Sequence, residues 1–291
     1  MEEIVLPAPA KINLALKVKG LRADGYHELE MIMQTIGLHD RVHLKKIAGG
    51  IRVVSSHPGL PEGSGNLAYR AAEFILEQSG IDGGVEIFIE KNIPLAAGLA
   101  GGSTDAAAVL KGISKLYQLK ISDEVIREMA SKLGSDVSFC LKGGTSYAYG
   151  RGEQLEQLPD LNKIHIILIT PPVEVSTAFI YREYDRLKNG LEIPVSRLVE
   201  IIKQGKEINW QEGWANDLEP VTARLFNDIY EIKGILKEMG VKFSLMTGSG
   251  PTIFGILDKG EEALFIKDNW PRKEDFVFVT STVKQEFSEL W

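Results

Sequence analysis

The chain runs to 291 residues, 44% hydrophobic and 25% charged, enough for one large globular domain or two modest ones. A formal net charge of −7 with no basic run argues against a nucleic-acid surface, and no apolar stretch approaches the roughly 20 residues of a membrane span. The single cysteine, Cys140, sits between Phe139 and Leu141 and is expected to be a buried, unreactive thiol, and the acidic N-terminus does not read as a signal peptide, so a cytoplasmic protein is the default expectation.

The first element is a strand, PAKINLALKV at residues 9–18. Ile12, Leu14, Leu16 and Val18 alternate with Lys11, Asn13, Ala15 and Lys17, which implies one buried face and points Lys11 and Asn13 the same way. A turn at Asp24-Gly25 leads into a second strand, MIMQTIGL, and residues 42–54 read as short strands broken at Gly49-Gly50. His39 and His43 have the spacing of a helical metal pair, but the residues after them read as a strand and no third ligand is in reach, so no metal site is expected there. Residues 66–78 read as a helix with Leu67, Ala71, Phe74 and Ile75 along one stripe. The strand VEIFIEKNI follows, then a glycine-rich loop and a helix, DAAAVLKGISKLYQL, starting near Ser103. Ser122 reads as the N-cap of the next helix, with Asp123 and Glu124 in its first turn and Gly134 as its C-cap.

Around residues 150–160 the chain turns polar, and the boundary between domains 1–158 and 159–291 is placed there. Beyond it come the strand HIILIT, helices at about 176–188, 194–204 and 217–239, the strand pair KFSLMT and TIFGIL around a glycine turn, and a last strand, FVFVTSTV. Strands and helices mix without a clean βαβ series, so an α+β architecture in two layers is expected.

The most informative stretch is KNIPLAAGLAGGSTDAAAVL, residues 91–110. Its glycines let the backbone approach a phosphate, and the free amides and positive dipole end of the following helix bind the anion. Ser103 and Thr104 add hydroxyls for phosphate oxygens or a magnesium ion, and Asp105 is placed to help hold the ion. It is neither a Walker A loop nor a Rossmann fingerprint. The plainer reading is a flexible joint with Ser103 as an ordinary N-cap.

The pattern Pro94-x-x-x-Gly98-Leu99-x-Gly101-Gly102-Ser103-Thr104 resembles the phosphate-binding motif of the GHMP kinases, the superfamily of galactokinase, homoserine kinase and mevalonate kinase. PAKINLAL near the N-terminus and LMTGSGPTIFGI at residues 245–256 resemble its other two motifs, in order. Asp24-Gly25-Tyr26-His27-Glu28, GSDVSFCLKGG and VSTAFIY are similar to the branch acting on 4-diphosphocytidyl-2-C-methyl-D-erythritol. Ala97 and Ala100 stand where many members carry glycine, Ser135 and Ser138 where Ala and Pro are commoner, and Thr247 where Ser is usual.

The resemblance implies a two-domain fold: an N-terminal domain like the second domain of ribosomal protein S5, a ferredoxin-like C-terminal domain, and an active site in the cleft between them. It implies transfer of a phosphoryl group from ATP, with Mg2+, to that small-molecule substrate, with no nucleic acid or membrane as partner. Asp136 matches the catalytic base and Lys11 the catalytic lysine, with Asn13 beside the substrate. Taken alone, Asp136 reads more readily as an N-cap than as a base, and Lys11 as a solvated lysine on an edge strand. Tyr26 and His27 match a cytidine-recognition pair, Tyr181 the opposite aromatic wall (Phe179 if the register shifts by two), and Thr177 a contact to the diphosphate. By position alone, Tyr181 is as readily a core residue of its helix. Asn66, Leu67 and Lys91 match the nucleotide pocket. Gly248, Ser249 and Gly250 match a tight turn against the phosphate loop or substrate, and alone read as a hairpin turn. A homoserine- or mevalonate-type kinase and a non-catalytic metabolite-binding regulator are the alternatives.

Overall fold

The computed structural model describes residues 1–187 and 190–285. Its first sheet comprises β1 (Glu3–Leu21), β2 (His27–Ile47), β3 (Gly50–Ser55), β4 (Gly84–Glu90), β5 (Thr145–Gly150) and β6 (Gln154–Gln157). Four helices accompany it: α1 (Leu67–Ser79), α2 (Gly101–Leu116), α3 (Asp123–Leu133) and α4 (Ser135–Lys142). The long β2 organises this half. It pairs with β1 along one edge, and on its other edge with β5 through its first part and β4 through its second. The strand expected at 31–38 and the short one expected from residue 42 are therefore a single strand, because β1 and the β5/β4 pair together supply its partners.

The second sheet has the order β10-β7-β9-β8, from β7 (His165–Thr170), β8 (Phe243–Met246), β9 (Ile253–Leu257) and β10 (Phe276–Ser281). In chain order α5 (Thr177–Leu187), α6 (Val195–Lys203), α7 (Glu219–Leu225) and α8 (Asp228–Glu238) lie between β7 and β8, and α9 (Gly260–Asp268) between β9 and β10. This is the β-α-β-β-α-β arrangement of a ferredoxin-like unit, as the resemblance implied. Sheet membership changes between Gln157 and His165. One apolar cluster fixes α1–α4 to the first sheet, and a second lies under α5 and α7–α9. A third joins the halves, with Ile12, Leu14, Ile32 and Ile36 of the first sheet in the same cluster as Ile166, Leu168 and Phe254 of the second.

Several expectations are corrected. The first strand is buried on both sides from Ala10 to Leu16, so Lys11 and Asn13 are interior residues rather than the solvent face. Register shifts between Pro9 and Lys11 and between Asn13 and Ala15 break the simple alternation at these two side chains. The helix expected at 217–239 is two helices, because Phe226 takes an extended conformation (φ −131°, ψ 99°) between them. The short α4, β5, β6 and α9 gave too few periodic residues to be read. Ser122 does cap α3, accepting from the Val125 amide, and Gly134 ends that helix. Lys188, at the end of one expected helix, and 286–291 lie outside the described residues. Among the described residues no helix is long and apolar enough to cross a membrane.

Candidate active site

A cleft of about 940 Å³ opens between the two halves, and Lys11, Asn13 and Asp136 meet in its wall. Gly134 both ends α3 and begins α4, so Asp136 stands in the first turn of α4 with its carboxylate turned to the cleft. The Lys11 ammonium lies 3.5 Å from Asp136 Oδ2 and donates to Asn13 Oδ1 at 2.8 Å. The Lys11 side chain is 5% exposed and that of Asp136 34%, so the carboxylate meets the cleft with the cation behind it. This arrangement lets a carboxylate take a proton from an alcohol while a desolvated ammonium stabilises negative charge forming beside it. The solvated-lysine reading of Lys11 fails on burial, and α4 has no side-chain cap bond, so Asp136 is not an N-cap.

Pro94, Gly98, Leu99, Gly101 and Ser103 line the same cleft. Helix α2 begins at Gly101, two residues before the expected start, with Ala100 as its N-cap in the left-handed region (φ 59°) and no side-chain cap. Ser103 is thus not a cap but a first-turn residue whose hydroxyl is free for a ligand. The amides of Gly101, Gly102 and Ser103 precede the first helical bond, Thr104 N–H to Ala100 C=O, and so have no intrahelical acceptor. That is an anion site by construction. Gly98 (φ 74°) touches the Thr247 carbonyl so closely that a Cβ would lie 2.4 Å from it.

The other residues expected at the nucleotide lie behind this loop. Asn66 is the N-cap of α1, accepting from the Ala68 amide and donating to the Pro61 carbonyl. Leu67 packs beneath Gly102, and Thr104 is buried beside Cys140. Burial, with the Asp136 charge adding, pushes the Cys140 thiol well above its ordinary range, so it stays protonated. Lys91 is buried between Asp40 and Asp105. Burial works against its charge, but the two carboxylates outweigh that and raise its pKa. Asp105 therefore faces Lys91 and cannot reach an ion in the cleft. Among the described residues no group of three or more His, Cys, Asp or Glu is arranged for a metal, and the free oxygen donor nearest in sequence to the loop amides is Ser103. Hard oxygen donors of this kind suit Mg2+ when a nucleotide's phosphates supply most of its ligands.

At the far end the His27 ring stacks on Tyr181 with centroids 4.7 Å apart, and its Nε2 lies 2.8 Å from Asp185 Oδ1. A carboxylate accepts, so Nε2 carries a hydrogen; in the neutral ring Nδ1 is then the nitrogen that presents a lone pair. Burial, followed by the Asp136 charge, raises the Tyr181 hydroxyl well above its ordinary value. Tyr181 lines the cleft, while Phe179 is exposed with the Arg182 guanidinium 5.9 Å from its ring centre. Tyr26 is exposed with the Arg151 guanidinium 5.0 Å from its ring centre. Thr177 Oγ1 lies 2.9 Å from Ser249 Oγ.

Gly248 and Ser249 line the cleft, and Gly250 is tucked against Met246. This hairpin turn packs on the phosphate loop and is held by Asn216, which donates to the Met246 and Gly248 carbonyls at 2.8 Å. The sequence reading missed Asn216, Arg151, Arg182 and Asp185. Arg151 and Asn216 lie outside the patterned segments, whereas Arg182 and Asp185 lie in the helix expected at 176–188, Asp185 four residues after Tyr181 on one face.

Residues 66–144 match the family GHMP kinases N terminal domain, and residues 198–275 the family GHMP kinases C terminal. A Syntrophomonas wolfei protein named 4-diphosphocytidyl-2-C-methyl-D-erythritol kinase is 46% identical, over 96% of this chain and 98% of its own. One of the same name from Acetivibrio thermocellus is 42% identical, over 97% and 100%. A crystal structure of 4-(cytidine 5'-diphospho)-2C-methyl-D-erythritol kinase superposes with a TM-score of 0.81 at 34% identity, covering 96% of this chain and 99% of that one. A homoserine kinase from Cytophaga hutchinsonii shares the fold at a TM-score of 0.75 and 19% identity, over 98% and 95%.

Proposed function

This chain belongs to the GHMP kinase family, and on that footing we propose that it transfers the γ-phosphoryl group of ATP to the 2-hydroxyl of 4-diphosphocytidyl-2-C-methyl-D-erythritol. That reaction belongs to the non-mevalonate route to isoprenoid precursors. The observation that carries the reading is the single cleft in which the Lys11–Asp136 pair, the loop amides and the His27–Tyr181 stack all stand.

In this reading the ATP phosphates lie over the amides of Gly101, Gly102 and Ser103. His27 Nδ1 accepts from the exocyclic amine of cytosine, a group that uracil lacks, and Tyr181 and Tyr26 offer ring faces to the base. Thr177 and Ser249 reach toward the diphosphate. Asp136 takes the proton of the 2-hydroxyl as that oxygen bonds to the γ-phosphorus. The bond from the γ-phosphorus to the bridging oxygen breaks, and ADP leaves with the electron pair. The Lys11 ammonium, fixed by Asn13, neutralises charge at the attacking oxygen. A magnesium ion arriving with the nucleotide would supply charge neutralisation at the phosphates, and Ser103 is the side chain that would share in holding it. Residues 1–158 then supply the loop, base and lysine, and residues 159–291 supply Thr177, Tyr181 and the third motif, in an enzyme of the cytoplasm.

The test is ADP release from purified protein with ATP, Mg2+ and 4-diphosphocytidyl-2-C-methyl-D-erythritol, with Asp136→Asn alongside. Turnover by the wild type and a loss of at least about 100-fold in the variant are expected. Turnover of homoserine or mevalonate instead would overturn the base-recognition reading while leaving the phosphate site intact.

A further inference from the structure

Three charged side chains that the reaction does not use meet behind the phosphate loop. Asp40 comes from β2, Lys91 from just beyond β4 and Asp105 from the second turn of α2, and each side chain is no more than 2% exposed. Lys91 Nζ donates to Asp40 and, at 2.9 Å, to Asp105 Oδ2. The other oxygen of Asp40 accepts the amides of Asn92 at 2.6 Å and Ile93 at 2.8 Å. Asp40 therefore pins the chain where it enters the loop, Asp105 is planted in the helix where the chain leaves it, and Lys91 ties the two together. The ammonium passes directly under Gly101, where a Cβ would lie 2.9 Å from Nζ.

The segment between the two anchors needs such restraint. Ala96 (φ 50°) and Ala100 (φ 59°) are non-glycine residues in the left-handed region, a conformation that persists only when the surroundings impose it. As a stabilising device the triad is poor. Two acids share one cation out of water, and Asp105 Oδ1 is buried with no hydrogen-bond partner. What the arrangement supplies is geometry.

We infer that Asp40, Lys91 and Asp105 form a clamp that fixes both ends of the phosphate loop and so aims the α2 amides at the phosphates of ATP, with Lys91 a positioning residue and not a phosphate ligand. The inference rests on the reading that ATP binds at this loop.

The test is a cycle of Asp105→Ala, Lys91→Met and the double variant, with Asp105→Asn as the conservative control. ADP affinity is measured by calorimetry, and KM separately for ATP and for the cytidine substrate. Asp105→Ala leaves Lys91 paired with Asp40, so it keeps the test readable if the double variant, which leaves Asp40 buried without a cation, misfolds. Asp105→Asn still offers Lys91 an acceptor and stays within about threefold of wild type. Severing the clamp weakens ADP binding about tenfold or more, the equivalent of one lost charge-assisted hydrogen bond, and leaves KM for the cytidine substrate within twofold. The double variant loses no more than the worse single one. Losses that multiply in the double variant would show that Lys91 touches phosphate itself and overturn the clamp, as would an equal loss for both substrates or unchanged ADP binding. A wild type that does not bind ADP would refute the placement of ATP at the loop, and the clamp's purpose with it.

Discussion

Gly98→Ala is the substitution for which the structure allows the most explicit forecast. Gly98 sits at φ 74°, and a Cβ there would lie 2.4 Å from the Thr247 carbonyl oxygen and 3.0 Å from that of Gly250. Carbon-to-carbonyl contacts begin at about 3.3 Å, so from 2.4 Å the third motif and the phosphate loop must separate by about 0.9 Å. Both are anchored to β1 around Lys11. Lys11 donates its amide to Leu99 at 3.2 Å, and Asn13 donates its amide to Thr247 Oγ1 at 2.9 Å. A displacement near 1 Å at reacting groups costs on the order of 100-fold in rate. The left-handed backbone adds about 1–2 kcal/mol of destabilisation for any non-glycine residue, or about 2–8 °C in Tm for a chain of this size. Gly205→Ala separates the two effects, because Gly205 has φ 60° and open space around its Cα. Both variants are expected to lose similar thermal stability, and only Gly98→Ala to lose about 100-fold in kcat/KM for ATP and the cytidine substrate. If Gly98→Ala keeps activity within about fivefold of wild type, or Gly205→Ala matches its loss, the contact between the motifs does not position the reacting groups.

Lys11→Met removes the cation behind Asp136 and is expected to lower kcat by about 100- to 1000-fold with little change in either KM; a rise in KM with kcat preserved would make Lys11 a binding residue instead. Asp185→Ala frees the His27 ring. Because the Asp185 side chain is 44% exposed, its effect should sit at the low end for a charge-assisted bond, about tenfold in KM for the cytidine substrate with KM for ATP unmoved. A shift in both constants would count against His27 as the base reader. Asp105 carries a pH prediction. Burial first, and Asp40 after it, raise its pKa from 3.8 to about 7 against the pull of Lys91. Between those values the folded chain holds a proton that the unfolded chain has released, so stability falls as pH rises through the window and levels off above it. Thermal unfolding of wild type and Asp105→Asn at pH 5 and pH 8 should show the variant gaining on the wild type at the higher pH, and a difference independent of pH would refute it.

The candidate site was legible through the resemblance of three ordered motifs rather than through any one residue. Glycines leading straight into an alanine-rich helix pointed to a phosphate, but Lys11 alone read as a solvated lysine and Asp136 alone as an N-cap. What stayed hidden was set by partners distant in the chain. Lys91, expected at the nucleotide, is buried because Asp40 on a strand and Asp105 on a helix close around it. Asn66 has the chemistry of a ligand and also of an N-cap, and only the start of α1 decides between them. The burial of Lys11 could not be read from alternation, since the second face of β1 is covered by loops from elsewhere in the chain.

Those loops explain why three motifs far apart in sequence act as one site. The register shifts around Lys11 and Asn13 accompany the two amides that leave the ladder, one for Leu99 in the phosphate loop and the other for Thr247 in the third motif. The loop and the turn then close on each other through the glycine contact at Gly98 and the Thr247 hydroxyl. The junction is made almost wholly of backbone, so its side-chain requirement is narrow: a small residue where chains touch, and a hydroxyl at 247, which threonine meets as serine would. The same economy locates the vulnerability. Substitutions that keep every charged group in place but thicken this junction should leave the fold standing while moving Asp136 and Lys11 away from the loop amides. On the proposed roles of Asp136 and Lys11, activity at this site depends on backbone contact as directly as on its acid and its cation.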